Sequence, residues 1–399
     1  MIKLVKMCNY WILLMSILFV LIPLDRSKAE NIEEISILEM PQQLEGALQI
    51  ISCSTPEAYG GMSGEIIRYD GEIASYLDDQ VINSVSLEPL DQPYFSSSGR
   101  FFATAGQELH DEKRCDLTLY RFDGQVLWEN KDVPSGMIHI ADDGKIVAAV
   151  NGYSIDGSEF LIEFYNPEGG LTGSINDLHI EPGHSDLSPD GELFVTILRG
   201  DETDGIVTIN DKLVAYNHRG ELLWEQTAQG LHFSGQLIAG NDRVYASFYA
   251  DSGREHYMLI YDAMGNLINQ VSPQYPNYGS YHLRISPDGD YLVGFGFHHI
   301  VQVETSDGEI RWEWQWDRDT DEDLIYDCIV TSDGGKIIAA GYMGKPGRTL
   351  FVFNSAGELI KQHQYVLDSS EWGDIRLWHK DNSAVLLDNA SGMNLHFSK

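Results

Sequence analysis

Residues 188–198 read SPDGELFVTIL, and residues 286–296 read SPDGDYLVGFG. Matched by chemistry instead of by letter, the phrase returns at FSSSGRFFATAG (95–106), IADDGKIVAAV (140–150), AGNDRVYASF (239–248), TSDGGKIIAAG (331–341) and HKDNSAVLLD (379–388). Each copy is a cluster of Ser, Asp, Asn and Gly ahead of a short β-prone run. Such side chains bond their own backbone and glycine accepts positive φ, which is what a tight hairpin requires. Each copy therefore reads as strand, turn, strand.

A second phrase interleaves with the first: RYDGEIASYL, RFDGQVLWEN, YNPEGGLTGSI, YNHRGELLWEQ, YDAMGNLINQV, ETSDGEIRWEW and FNSAGELIKQH. Its turn glycines are Gly71, Gly124, Gly169, Gly220, Gly265, Gly308 and Gly357, a period of roughly 45 residues. Two hairpins per repeat is the pattern of four-stranded antiparallel β-propeller blades. No segment sustains a 3.6-residue period for three turns, so the chain reads as all-β. The turn phrases alone give seven blades. Counting strands gives eight, with ISILEM, ALQIISCS, GEIIRYD and EIASYL as a first blade and IRLWHK, SAVLLD and MNLHFSK in a last one; eight is favoured.

Residues 1–29 read as an export signal: Lys3 and Lys6, then the apolar run Tyr10–Leu24, then SKA at 27–29. An uncleaved anchor is the alternative, since about twenty apolar residues span a bilayer. Residues 30–399 read as a single propeller domain, periplasmic or secreted, with no membrane association once the signal is removed. The formal net charge of −35 repels phosphate backbones and anionic headgroups, which argues against nucleic acid and favours cations or basic partners. Of four cysteines, Cys8 leaves with the signal, and an odd three remain. Cys53 and Cys115 fall in neighbouring repeats, where one bridge is an open option.

SPDG followed by an apolar strand resembles the repeat of WD40-like and TolB-type exported propellers. G-x-x-x-W at Gly124–Trp128, Gly220–Trp224 and Gly308–Trp312 is similar to the blade motif of the PQQ-like quinoprotein superfamily. The resemblance implies a propeller fold over nearly the whole mature chain, and it covers both enzymes and non-enzymatic assembly factors. Quinoprotein dehydrogenases carry calcium and often adjacent cysteines. No Cys-Cys pair exists here, which argues against a quinone cofactor. The tryptophans are expected to pack between blades.

Lettering strands A to D from the axis outward places both tight turns of a blade on one face. The longer connections, D to A and B to C, then fall on the other, and long loops gathered on one face mark a binding face. Four residues before the serine position of SPDG stand His184, His282, Asp327 and Gln92; His139, Asp186 and Arg284 stand two residues further on. Such groups meeting at the axial mouth would ligate a divalent metal or a polar ligand, or merely line a wet channel. Asp317, Asp319, Asp321 and Asp323 resemble the opening of a calcium loop. Glu322 and Cys328 occupy its sixth and twelfth positions, so calcium stays open only by another geometry. No H-E-x-x-H or G-x-S-x-G motif is present, and no catalytic residue is assigned. The favoured function is non-enzymatic binding of a protein or other extracytoplasmic ligand through the long-loop face. The alternative is an axial-site enzyme, a quinoprotein-like oxidoreductase or a carbohydrate hydrolase or lyase, and a passive envelope protein is a third reading.

Overall fold

The computed structural model describes Ser36–Ile37 and most of residues 65–397; within the latter, stretches of four residues or more left undescribed are 87–90, 107–113, 152–159, 251–254, 274–281, 316–322, 344–347, 366–374 and 389–392. Every element among the described residues is a β-strand. In chain order they form sheet 1 (65–86), sheet 2 (91–134), sheet 3 (136–177), sheet 4 (180–227), sheet 5 (231–271), sheet 6 (282–315), sheet 7 (323–365) and sheet 8 (375–397). Sheets 2 to 7 are four-stranded and antiparallel, with strands A, B, C and D adjacent in sequence order. A two-stranded ribbon, Glu202–Thr203 with Ile206–Val207, sits in the B-to-C connection of sheet 4. Sheet 1 has three described strands.

Sheet 8 takes three strands from the C-terminal end and its fourth from the other end of the chain: Ser36 pairs with His396 and Ile37 with Leu395. Ser36–Ile37, within the ISILEM segment, thus belong to the last sheet and not the first, where the edge of Met393–Phe397 offers them a ladder.

Strand A of each sheet from 2 to 7 adjoins strand A of the next. The sheets consequently fan out from a line where the A strands meet. The core is a series of slabs between successive sheets: Leu117 and Trp128 of sheet 2 cluster with Ile138 and Val147 of sheet 3, and Val195 and Leu213 of sheet 4 with Phe233 and Phe248 of sheet 5. The interior B and C strands bury both faces, so they read as unbroken apolar runs instead of alternating ones. Val147–Asn151 is buried at all five positions, while the D strand Leu222–Thr227 stays largely exposed. Burying each Leu or Phe of a slab contributes about 1.5–3 kcal/mol.

The turns are built as their residues demand. At the C-to-D turn of sheet 4, Asn217 Oδ1 accepts the Arg219 and Glu221 N–H groups at 2.9 and 3.0 Å, and Gly220 closes the turn at φ 75°. In each of sheets 2 to 7 the C–D register then slips at the third residue after the turn glycine: Tyr216 pairs with Leu222 and Ala215 with Trp224, leaving Leu223 as an extra residue. The same bulge falls at Leu127, Thr172, Ile268, Arg311 and Ile360. Such a bulge bends the outer strand and re-aims the side chain after it.

That side chain is the one that meets the next sheet. The Trp224 ring lies against Gly265, where a Cβ would stand 2.5 Å from it, and its Nε1 donates to the Ala263 carbonyl at 2.9 Å. The Trp128 ring lies on Gly169 and the Trp312 ring on Gly357. Where the tryptophan is absent, Gly173 admits the Arg219 backbone directly and Asn269 approaches Gly308. The G-x-x-x-W phrase therefore joins sheets.

Replacing Gly265 by Ala should cost about 1 kcal/mol for positive φ plus about 1–3 kcal/mol for overpacking against Trp224. Gly230 has φ 68°, and a methyl group there would meet nothing within 4 Å, so Gly230→Ala should show only the first cost. Urea unfolding of both variants checks the difference.

Candidate functional site

Strands alternate direction, so the A-to-B and C-to-D turns emerge on one face and the B-to-C and D-to-A connections on the other. At the second face the strand ends are separated by the longer sequence intervals 107–113, 152–159, 199–211, 272–281, 316–322 and 366–374, most of which lie outside the described residues, whereas the tight turns opposite close over a few residues. His184 and His282 stand on A strands toward this long-connection end. Asp317, Asp319 and Asp321 lie outside the described residues, and Asp323 opens strand A of sheet 7. Among the described residues no three His, Cys, Asp or Glu groups are placed to share a metal ion.

The A strands are tied to one another by polar side chains. Tyr94 of sheet 2 donates to the Gly136 carbonyl of sheet 3. His139 of sheet 3 reaches sheet 4, with Nε2 3.0 Å from Ser185 Oγ and Nδ1 3.6 Å from Asp186 Oδ1. Asp186 Oδ2 in turn accepts the Ala239 N–H of sheet 5 at 2.9 Å. Gln236 of sheet 5 accepts the Leu283 N–H of sheet 6. Arg284 of sheet 6 donates through Nε and Nη2 to Asp327 Oδ1 of sheet 7 at 3.1 and 2.9 Å. Six consecutive sheets are thereby linked by five struts near the line where they meet.

Ser185, His139 and Asp186 have the composition of a nucleophile, a base and an orienting acid, but not the working geometry. The 3.6 Å separation of Nδ1 and Oδ1 exceeds a hydrogen bond. Both Asp186 oxygens accept backbone N–H groups, from Leu187 and Ala239. All three residues are buried, and the group works as a strut.

His139, Arg284 and Asp327, expected at the mouth, are thus buried in inter-sheet contacts. His184 and His282 are more exposed. The His184 ring rests on Phe233 of sheet 5 at 4.5 Å, and the His282 ring stacks on Phe295 at 5.4 Å. His184 sits where strand A of sheet 4 breaks register between Glu181 and Ser185, and Gln236 sits in the matching break of sheet 5. Gln236 went unnoticed in the sequence because its repeat begins AGND and not SPDG; alignment on Gly240 instead of on serine would have found it.

Elsewhere, His299 opens strand C of sheet 6 with its side chain buried, and His298 before it is partly exposed. Burial lowers the His299 pKa to about 4, although Glu313 Oε2 lies 3.4 Å from Nε2. Cys115 is buried with its thiol 3.9 Å from the Pro134 carbonyl; Cys53 lies outside the described residues.

Two measurements test these assignments. Asp327→Ala leaves the Arg284 guanidinium buried without its carboxylate and should cost about 3–5 kcal/mol in urea unfolding, whereas Arg284→Leu with Asp327→Leu should recover much of it. For His299 the unfolded chain takes up a proton first as pH falls, because the folded pKa lies below the ordinary 6.5. Its effect is nil above pH 6.5 and grows to a loss of about 3 kcal/mol as pH falls through the window toward 4. His299→Gln should flatten the fall in stability between pH 7.5 and 5.

No family model and no curated protein matches the chain. Among solved structures, it is similar to the C-terminal WD40 domain of Sif2, with TM-score 0.57 and 12% identity over 89% of this chain and 99% of that one. It is also similar to KlHsv2 with loop 6CD replaced by a Gly-Ser linker, with TM-score 0.50 and 14% identity over 75% of this chain and 88% of that one. Identities this low speak to architecture alone. The fanned sheets are those of a WD40-like β-propeller.

Proposed function

We propose that the chain is an exported, non-enzymatic propeller of eight blades that binds a protein through its long-connection face. The eight blades are sheets 1 to 8, with Ser36–Ile37 as the outer strand of the last. The observation that carries the binding role is the asymmetry of the two faces: tight turns on one, and on the other strand ends separated by long intervals of sequence, with the A strands locked together by side-chain struts. Variable loops on a rigid base are how scaffolds present binding residues.

The chemistry of those connections points to a basic partner. Residues 316–322 carry Asp317, Asp319, Asp321 and Glu322 against Arg318, and residues 366–374 carry Asp368, Glu371 and Asp374 with no basic residue. Opposed charges of this kind speed encounter and fix orientation. His184 and His282, resting on aromatic rings at the same end, supply contacts nearer the axis.

The full chain, tagged at its C-terminus and expressed with its leader, should be recovered outside the cytoplasm beginning at Glu30. In-cell cross-linking should then trap a basic protein that is not trapped by the variant Asp317→Asn, Asp319→Asn, Asp321→Asn, Glu322→Gln. Recovery from the cytoplasm with Met1 retained would reject export. Equal trapping by the variant would reject the acidic loop as the contact.

A further inference from the structure

The outer strands carry apolar side chains that neither turns nor core require. Val126 and Leu127 of sheet 2, Leu171 of sheet 3, Leu222 and Leu223 of sheet 4, and Leu267 and Ile268 of sheet 5 are 37–57% exposed. All come two or three residues after a C-to-D turn glycine, at or beside the bulge. Each outer strand docks on the next turn, Trp128 on Gly169, Gly173 against Arg219, Trp224 on Gly265, so these residues stand at equivalent places along one rim. Thr172 Oγ1, beside Leu171, donates to the His218 carbonyl of the next turn at 2.9 Å. Exposed apolar residues thus recur at this place on four consecutive outer strands. The run stops at sheet 6, where Arg311 holds the bulge position and lies over the Tyr291 ring at 5.0 Å.

Exposed outer strands usually carry charge at such places, since an apolar edge invites association. Two observations narrow what this run receives. The bulge breaks the backbone register of the outer strand at these very residues, so an added strand finds no regular ladder there. The occupant must bury side chains instead. Charge decides the rest: exposed Asp123, Glu129, Glu168, Glu221 and Glu225 flank the run, against the exposed cations Arg121, Lys131 and Arg219, of which Arg121 is paired with Asp123. A second copy of a chain of charge −35 would bring like charge onto this edge, and an anionic bilayer would be repelled as well.

We propose that the rim of sheets 2 to 5 binds an amphipathic helical segment of a partner protein, its apolar stripe seated on Leu222, Leu223, Leu267 and Ile268 and its lysines or arginines facing the flanking glutamates. The rim belongs to the tight-turn half of the outer strands, so this surface is independent of the long-connection face.

The test uses the full chain and fluorescence anisotropy of two labelled peptides of about 14 residues, one an amphipathic Leu/Lys helix and one its Leu/Glu counterpart, at about 0.15 M salt. The Leu/Lys peptide should bind and the Leu/Glu peptide should not. The variant Leu222→Ser, Leu223→Ser, Leu267→Ser, Ile268→Ser keeps every charge and the Trp224 contact, and should bind at least about tenfold more weakly. Should it unfold, Glu221→Gln with Glu225→Gln provides the second arm, with weaker Leu/Lys binding expected. Equal binding by the serine variant would show attraction by charge alone and overturn the proposal, as would no binding to the native chain or binding of both peptides. Sedimentation closes the remaining route: self-association of the native chain that the serine variant abolishes would assign the rim to a second copy, against the proposal.

Discussion

Sheets 2 to 7 bury both broad faces of their inner strands, so none of them can be stable by itself, and the contact that lets one sheet close upon the next is the one on which the rest depends. At the outer edge that contact is an indole laid on a turn glycine, Trp224 on Gly265. A methyl group would not fit between them. The left-handed backbone of the glycine is therefore used twice, once to close its own turn and once to admit the neighbouring ring. The bulge one residue before the tryptophan aims the ring across the gap, and it also leaves the two preceding residues facing solvent. Docking and the exposed apolar rim are thus two results of a single irregularity.

At the inner edge the same task falls to polar groups. Apolar packing alone would let successive sheets slide, because it is non-directional. A hydrogen bond from the Ala239 backbone to Asp186, or the two from Arg284 to Asp327, allows one relative position. The struts differ in chemistry from one junction to the next: phenol to carbonyl, imidazole to hydroxyl, backbone amide to carboxylate, backbone amide to carboxamide, guanidinium to carboxylate. Dissimilar links make each junction specific to its own neighbours, which discourages the misregistered pairing to which repeat proteins are prone.

Much of this was legible in the residues. The turn clusters and their glycines announced paired hairpins, and Gly124, Gly220 and Gly308 take the positive φ that the turn chemistry demands. The tryptophans were expected between sheets and are found there. Less legible was what each polar side chain meets. His139 and Arg284 stand at equivalent places in their repeats, but whether such a group faces a ligand or a neighbour depends on what the next A strand offers, and Ser185 and Asp327 are 43 or more positions away in sequence. The bulges left no mark either, since a one-residue slip conserves the composition of the strand. The pairing of Ser36–Ile37 was hidden because its partner lies at the far end of the chain.

That last pairing bears on how the molecule comes to be folded. Sheets 2 to 7 are each assembled from neighbouring stretches, so they can form as the chain emerges, with short loops to close. The final sheet cannot. Its outer strand precedes its other three by more than 330 residues, so the early segment must wait, with an open edge, until Met393–Phe397 arrives beside it. The last sheet is completed by a contact between segments some 360 residues apart, and until then the edge of Met393–Phe397 stands open to water. Its pairing therefore works as a check on the chain, in which this sheet is completed only when both segments are present.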